Sequence, residues 1–240
     1  VPVNDIIENI AAVKDQTEID ALQTAVDITD RVFDLILPEI RVGVTEKHIA
    51  SRISYLFMQE GGDGDSYDPI IASGANGALP HATPSDKKIE YGDFIVMDFG
   101  SLYKGYHADM TRTIVVGEAS ERHHEIYNIV LDSQLAGIAL AKSGIKCSDL
   151  DNACREVIKA KGYGELFMHS TGHGLGLEVH TMPRISWMNH TLLEENNVIT
   201  IEPGIYIAGW GGVRIEDDCL ILKDECRPMN SSTKELVVVD

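Results

Sequence analysis

Basic residues are scarce in this chain. It carries 20 Lys and Arg against 38 Asp and Glu, a formal net charge of −18, and its pI is near 4.8. That balance disfavours nucleic acid and anionic membranes as partners. Two bound divalent ions would offset only about four of those charges, so most of the excess is read as a solvated acidic surface. Cysteine is also sparse. Cys147, Cys154, Cys219 and Cys226 form no C-x-x-C pair, which argues against a zinc knuckle or a thioredoxin-like motif. No apolar run reaches transmembrane length. The first residues, Val1-Pro-Val-Asn-Asp-Ile, lack the basic and apolar regions of a signal peptide. A cytoplasmic protein with reduced thiols is the expectation. Low-complexity segments and long linkers are missing too, as is the lysine that a phosphate-binding Gly-rich loop requires.

What is present is ordinary in bulk and unusual in detail. A chain of 240 residues, 44% hydrophobic and 24% charged, is long enough to bury a sizeable core and is typical of a globular protein. Two segments each carry a pair of carboxylates across a short Gly-containing turn between β-rich runs. One runs from Asp93 through Asp98 to Asp109, the other from Glu202 through Gly209 to Glu216. Both read as hairpins. Turns centred near Tyr103–Lys104 and near Gly209 set Asp98 opposite Asp109 and Glu202 opposite Glu216. Residues opposite one another share a face, and like charges held there repel unless a cation lies between them.

The hairpins belong to a longer repeat. Apolar residues Ile19, Leu22, Val26, Phe33 and Ile36 recur at helical spacing over 17–38. A second helix begins at Thr45 as N-cap, carries Ile49, Ile53, Leu56 and Phe57 on one face, and stops at Gly61. The second half repeats the plan. A helix carries Ile126, Val130 and Ile138. Ser148 and Asp151 then fit a capping box, and a helix with Leu150, Cys154, Val157 and Ile158 stops at Gly162. The separation from Gly43 to Gly61 equals that from Gly144 to Gly162. Two similar lobes about a pseudo-twofold axis would bring the four acids together, with strands inside and helices outside. Residues 1–16 lie outside the repeat and read as a linker or lead-in segment; residues 17–240 read as one α/β domain. A third element, His169-Ser-Thr-Gly-His173-Gly-Leu-Gly-Leu-Glu-Val-His180, places three histidines in one Gly-rich stretch. With four paired acids in the same chain, that density points to a site for two divalent metals.

From about Lys14 to the C-terminus the sequence resembles the pita-bread metallopeptidases, on the branch of Xaa-Pro dipeptidases (prolidases) and Xaa-Pro aminopeptidases (aminopeptidase P). The resemblance rests on Asp98-Phe-Gly, Asp109-Met-Thr-Arg-Thr, His173-Gly-Leu-Gly-Leu-Glu-Val-His180, Glu202-Pro-Gly and Arg214-Ile-Glu216, in that order. It implies the pita-bread (creatinase/aminopeptidase) fold, of mixed α/β (α+β) class, with two pseudo-symmetric helix–helix–hairpin lobes. It implies Asp98, Asp109, His173, Glu202 and Glu216 as ligands of two divalent ions, with Asp109 and Glu216 bridging. Oxygen ligands with one imidazole suit Mn2+, with Co2+ or Zn2+ as alternatives. The implied activity is hydrolysis of the Xaa-Pro bond of dipeptides or short peptides by a metal-bridging hydroxide. Glu202 would accept the proton, His81 and His180 would contact substrate and stabilise the tetrahedral intermediate, Arg214 would orient a ligand carboxylate, and His169 would line the pocket by the proline ring.

The sequence departs from the family pattern at Thr181, where an acidic residue is usual, at Ser170 in place of glycine, and at Glu195-Asn-Asn197 in place of Gly-Met. None of these is an implied ligand, so they bear on substrate preference and rate. Many relatives carry a preceding creatinase-type domain that supports dimerisation; Val1 to Ile10 resembles the joint after it, and a homodimer stays open. Two other readings remain: a metal-free peptide-binding module of the same fold, and a creatinase-like amidinohydrolase. Retention of all five ligand types counts against both.

Overall fold

The computed structural model describes residues 6–240; Val1 to Asp5 of the lead-in segment lie outside them. The first lobe runs α1 (Ile6–Ala12), α2 (Gln16–Ile36), α3 (Glu46–Gln59), β1 (Gly64–Asp65), β2 (Ile70–Ser73), β3 (Phe94–Phe99), β4 (Ser101–Tyr103), β5 (Tyr106–His107) and β6 (Met110–Val116). The second runs α4 (Glu121–Leu140), α5 (Cys147–Ala160), β7 (Gly172–Gly174), β8 (Thr181–Ile185), β9 (Val198–Ile201), β10 (Gly204–Ile207), β11 (Gly211–Arg214), β12 (Asp217–Ile221), β13 (Cys226–Pro228) and β14 (Val237–Val239).

Local chemistry explains the helix ends. Asp15 caps α2 in a capping box with Glu18, and Thr45 caps α3 by accepting from the His48 amide, which satisfies donors the first turn cannot pair internally. The second lobe differs from expectation here. Lys146, not Ser148, is the N-cap of α5, and no side chain caps it. Ser148 lies two residues past the cap, within the first turn, and contacts His190 Nδ1 at 3.1 Å, while Asp151 faces Arg155 and the Thr171 amide.

All five apolar positions anticipated on α2 are buried, as are the four on α3. Phe33 and Ile36 of α2 and the four on α3 face the sheet ordered β14-β6-β3-β2 in a core with Ile71, Ile95, Met97 and Ile114, while Ile19, Leu22 and Val26 pack in a separate cluster with Ala108, Leu175, Val198 and Leu220. Helices α4 and α5 pack on each other and cover the sheet ordered β13-β12-β9-β7-β8 in a second core around Ile126, Leu150, Ile199 and Cys219. The strands β6-β3-β2 of one lobe thus correspond to β12-β9-β7 of the other. The lobes meet through their equivalent strands: the Glu216 amide donates to Thr111 O at 3.1 Å, and the Asp109 amide donates to Asp218 Oδ2 at 2.9 Å. Behind this seam the fully buried Arg112 pairs with Asp217 at 2.7 Å and donates to the Glu216 carbonyl.

Candidate metal centre

The second acidic hairpin has the anticipated register. β10 pairs with β11 so that Gly204 faces Arg214, and β9 pairs with β12 so that Ile201 faces Asp217. Glu202 and Glu216 sit across from each other between these two ladders, with Gly209 at the turn in positive φ.

The first hairpin has a different register. Asp98 faces Thr111, not Asp109. The turn centres on Lys104–Gly105, with φ of 49° and 82°, the positive pair that a tight two-residue hairpin turn uses. Moving the centre by one residue slides the pairing by two. Because strand side chains alternate with period two, Asp109 stays on the same side as Asp98.

Asp98, Asp109, His173, Glu202 and Glu216 all line one cavity of about 820 Å³, together with His81, His169, His180, Arg184 and Arg214. Ile7, Ala11 and Lys14 form part of its wall, so the lead-in segment contributes to the pocket. Ligand atoms of Asp109, His173 and Glu216 lie within 4.8 Å of one another, and His173 Nε2 is 3.4 Å from Glu202 Oε1. His173 Nδ1 donates to the Gly174 carbonyl at 3.0 Å. That bond leaves the Nε2 lone pair facing the acids, the tautomer a metal-binding imidazole needs.

The electrostatics are those of acids with too little positive charge among them. Burial first, then the charges of Asp98, Asp218 and Glu202, lifts the Asp109 carboxyl well above its ordinary range. Burial and Glu216 do the same to Glu202, and burial with Asp109 and Asp98 to Glu216. Burial lowers His173 to about 4, so the imidazole is neutral at pH 7. A group of buried, mutually repelling carboxylates around a neutral imidazole is a donor set that fits divalent cations.

Arg214 is the cation within this shell. It donates to Asp98 Oδ2 at 2.6 Å, to Thr111 Oγ1 at 3.0 Å and to Tyr206 Oη at 2.8 Å. Burial works against its charge, but Tyr206, Asp98, Glu202 and Glu216 outweigh it and hold the guanidinium protonated. Thr111 in turn donates to Glu216 Oε2 at 2.5 Å. Tyr206 Oη lies 2.8 Å from His169 Nε2, and His169 Nδ1 lies 2.8 Å from the Ser170 carbonyl. Nδ1–H must therefore donate to Ser170, and Tyr206 O–H to Nε2. Both ring nitrogens of His169 are engaged, so it presents a ring face rather than a free hydrogen-bonding nitrogen. His180 is freer; its ring tilts against that of His173 with centroids 4.2 Å apart.

Sequence reasoning passed over three of these groups. Tyr67 hydrogen bonds to both Asp98 and Asp109, and as a loop residue far from either it left no signal. Tyr206 and Thr111 were legible: each follows an implied ligand by an even step along an extended segment. The Gly-rich run around His173 also has a physical cause. A Cβ on Gly172 would stand 2.0 Å from Thr200 O, and one on Gly174 2.1 Å from Met182 O. These glycines let β7 lie flush between its neighbours.

A two-lobed fold with carboxylates and an imidazole gathered at the lobe seam defines a metallopeptidase class. The chain matches metallopeptidase family M24 over residues 20–223, and it belongs to that family. It is 45% identical over 235 residues to the Xaa-Pro dipeptidase of Pyrococcus furiosus, covering 98% of this chain and 68% of that one. The structure of an Xaa-Pro dipeptidase from Bacillus anthracis superposes with a TM-score of 0.98 at 44% identity, over 100% of this chain and 67% of that one. An X-Pro aminopeptidase from Thermotoga maritima gives 0.97 at 43% identity, over 99% and 67%. The chain thus spans about two thirds of each relative. The expected pita-bread fold and metallopeptidase class both hold. Among the described residues no helix is long and apolar enough to cross a membrane.

Proposed function

We propose that this chain, with residues 17–240 as its catalytic domain and 1–16 as lead-in, hydrolyses the Xaa-Pro bond at the N-terminus of dipeptides or short peptides with two divalent ions. Asp98, Asp109, His173, Glu202 and Glu216 hold the ions, with Asp109 and Glu216 shared between them; Mn2+ is the favoured metal. The observation that carries this is the approach of Asp109, His173 and Glu216 to within 4.8 Å in the wall of a cavity that Asp98 and Glu202 also line. The named activities of the relatives support the substrate class. The four free thiols fit a reducing, cytoplasmic setting.

When bound, the ions supply an activated water near neutral pH and polarise the scissile carbonyl. The remaining tasks fall to side chains. Glu202, already proton-seeking through burial and Glu216, takes the proton of the attacking water and returns it to the leaving nitrogen. His180 and His81, which both line the cavity, contact substrate and donate to the developing oxyanion. Arg214 fixes Asp98 through its 2.6 Å bond. The ring face of His169 gives the proline ring a wall. The Xaa-Pro amide has no N–H, so recognition must rest on shape rather than on that donor.

The test is metal titration of the stripped chain with Mn2+, followed by assay on Ala-Pro and on Ala-Pro-Ala. Two ions per chain with Xaa-Pro cleavage is the expected result. Fewer than one ion per chain, or two ions with no cleavage of either peptide, overturns the proposal.

A further inference from the structure

Helix α5 carries a half-buried ion pair that touches no implied ligand, yet it reaches the pocket through the backbone. Arg155 Nε and Nη2 donate to the Asp151 carboxylate at 2.7 and 3.2 Å. The other face of the fork donates to the Phe167 carbonyl at 3.0 Å and to the His169 carbonyl. Asp151 is fully buried, and its Oδ1 also accepts the Thr171 amide at 2.9 Å. The guanidinium lies 4.2 Å from the Phe167 ring centroid and 4.5 Å from that of Trp187. The Phe167 ring then meets His169 edge-on at 5.2 Å.

The pair therefore grips residues 167, 169 and 171 in succession. That segment has no regular secondary structure after the short helical turn ending at Leu166, so no ladder fixes it. His169 is the site group that hangs from it. The Glu202 amide also donates to Thr171 O at 2.8 Å, but the ladder from β9 to β12 holds Glu202 independently at Ile201–Asp217. A planar fork bonded on both edges and set against two aromatic rings is a rigid support that lysine cannot copy.

Resting on the Xaa-Pro reading above, we propose that Arg155, locked by Asp151, is a positioning residue that sets His169 at the depth matching a five-membered ring, and so sharpens the preference for proline. The exposed Trp187 ring completes the clamp on the guanidinium from the solvent side.

The experiment compares wild type with R155M and R155K, loaded with Mn2+, on Ala-Pro and on Ala-pipecolic acid, whose ring is one methylene larger. Both variants are expected to raise KM for Ala-Pro about tenfold, with kcat changed less than about threefold and metal content unchanged. They should narrow the ratio of kcat/KM between the two rings. A fall in kcat with KM and ring preference intact would mean a merely structural role and overturn the proposal. Should R155M fail to fold, R155K carries the same comparison. A second readout needs no turnover: the 15N-labelled, metal-free chain should show a protected imidazole N–H signal, assigned by its loss in H169Q. The geometry requires its loss in R155K and R155M as well; its survival there overturns the brace. Wild type that cleaves neither peptide would refute the Xaa-Pro reading, while this signal still decides the brace.

Discussion

Removing one acid from the centre should stabilise the metal-free protein while ruining the metal-bound one. Asp109→Asn is the choice, because the amide oxygen still serves Tyr67. The ligand oxygens of Asp109 and Glu216 lie within 4.8 Å. Two unit charges at that distance repel by about 3 kcal/mol at an effective dielectric constant of ~20. Protonation caps the realised cost, since Asp109, Glu202 and Glu216 all hold protons above the ordinary carboxylate range. The sign follows from linkage. Near pH 3 the folded and unfolded chains both keep these protons, and the acids cost nothing. Above about pH 4 the unfolded chain releases them first, and each pH unit then costs the fold about 1.4 kcal/mol per group until the folded carboxyl also ionises. Metal-free wild type should thus lose stability from pH 5 to pH 8, and D109N should lose less.

At pH 8 the metal-free variant is expected to exceed wild type by about 1–3 kcal/mol, or roughly 2–10 °C in Tm for a chain of this size. Near pH 4 the difference should vanish. Saturating Mn2+ reverses the order, since binding at a hundredfold excess over Kd adds about 2.7 kcal/mol to wild type and little to a centre missing a shared ligand. Calorimetry at pH 4, 6 and 8, with and without Mn2+, reads all of this. A metal-free D109N that melts at or below wild type at pH 8 would show that the acids do not repel in the fold, and the reasoning for a cation site would fail.

Glu216→Ala should abolish peptidase turnover with little change in circular dichroism; near-wild-type turnover on Ala-Pro would refute its shared-ligand role. His180→Ala should lower kcat by roughly 10²–10³-fold with Mn2+ content retained, and loss of metal would move His180 into the ligand set. Gly172→Ala brings a methyl to 2.0 Å from Thr200 O. It should cost about 1–3 kcal/mol by denaturant unfolding and weaken Mn2+ binding by displacing His173; an unchanged midpoint would show that β7 has slack.

The helices and their buried faces were legible because amphipathic periodicity is local, and α2 and α3 bury every apolar position it marked. The α5 cap was misread for an equally local reason. Ser148 and Asp151 have the right spacing, but Asp151 is taken by Arg155 one helical turn on, a pairing that competes with the capping box, and by the Thr171 amide, which lies on no nearby pattern. Even there the repeat held the answer: Lys146 stands where Thr45 stands in the first lobe, and each forms an isolated bridge, to Leu192 and to Lys88. Tyr67 and the Arg155 brace were invisible because both act across the fold, from a loop and through backbone carbonyls whose acceptor power no side-chain identity reveals.

The first hairpin shows why the site survived an error in its register. Two acids on one hairpin face stay on that face under any even slip, so the sequence constrained the side and left the exact neighbour open. What fixes the neighbour is the turn, and Lys104–Gly105 adopts positive φ at both positions. The second lobe supplies the remaining constraint. Asp109 cannot drift along the strand, because its amide is held by Asp218 of that lobe, as Glu216 is held by Thr111 of the first. Each lobe thus sets the depth of the other's acid. The separation of Asp109 and Glu216, on which cation binding turns, is therefore a property of how the lobes dock and of neither hairpin alone.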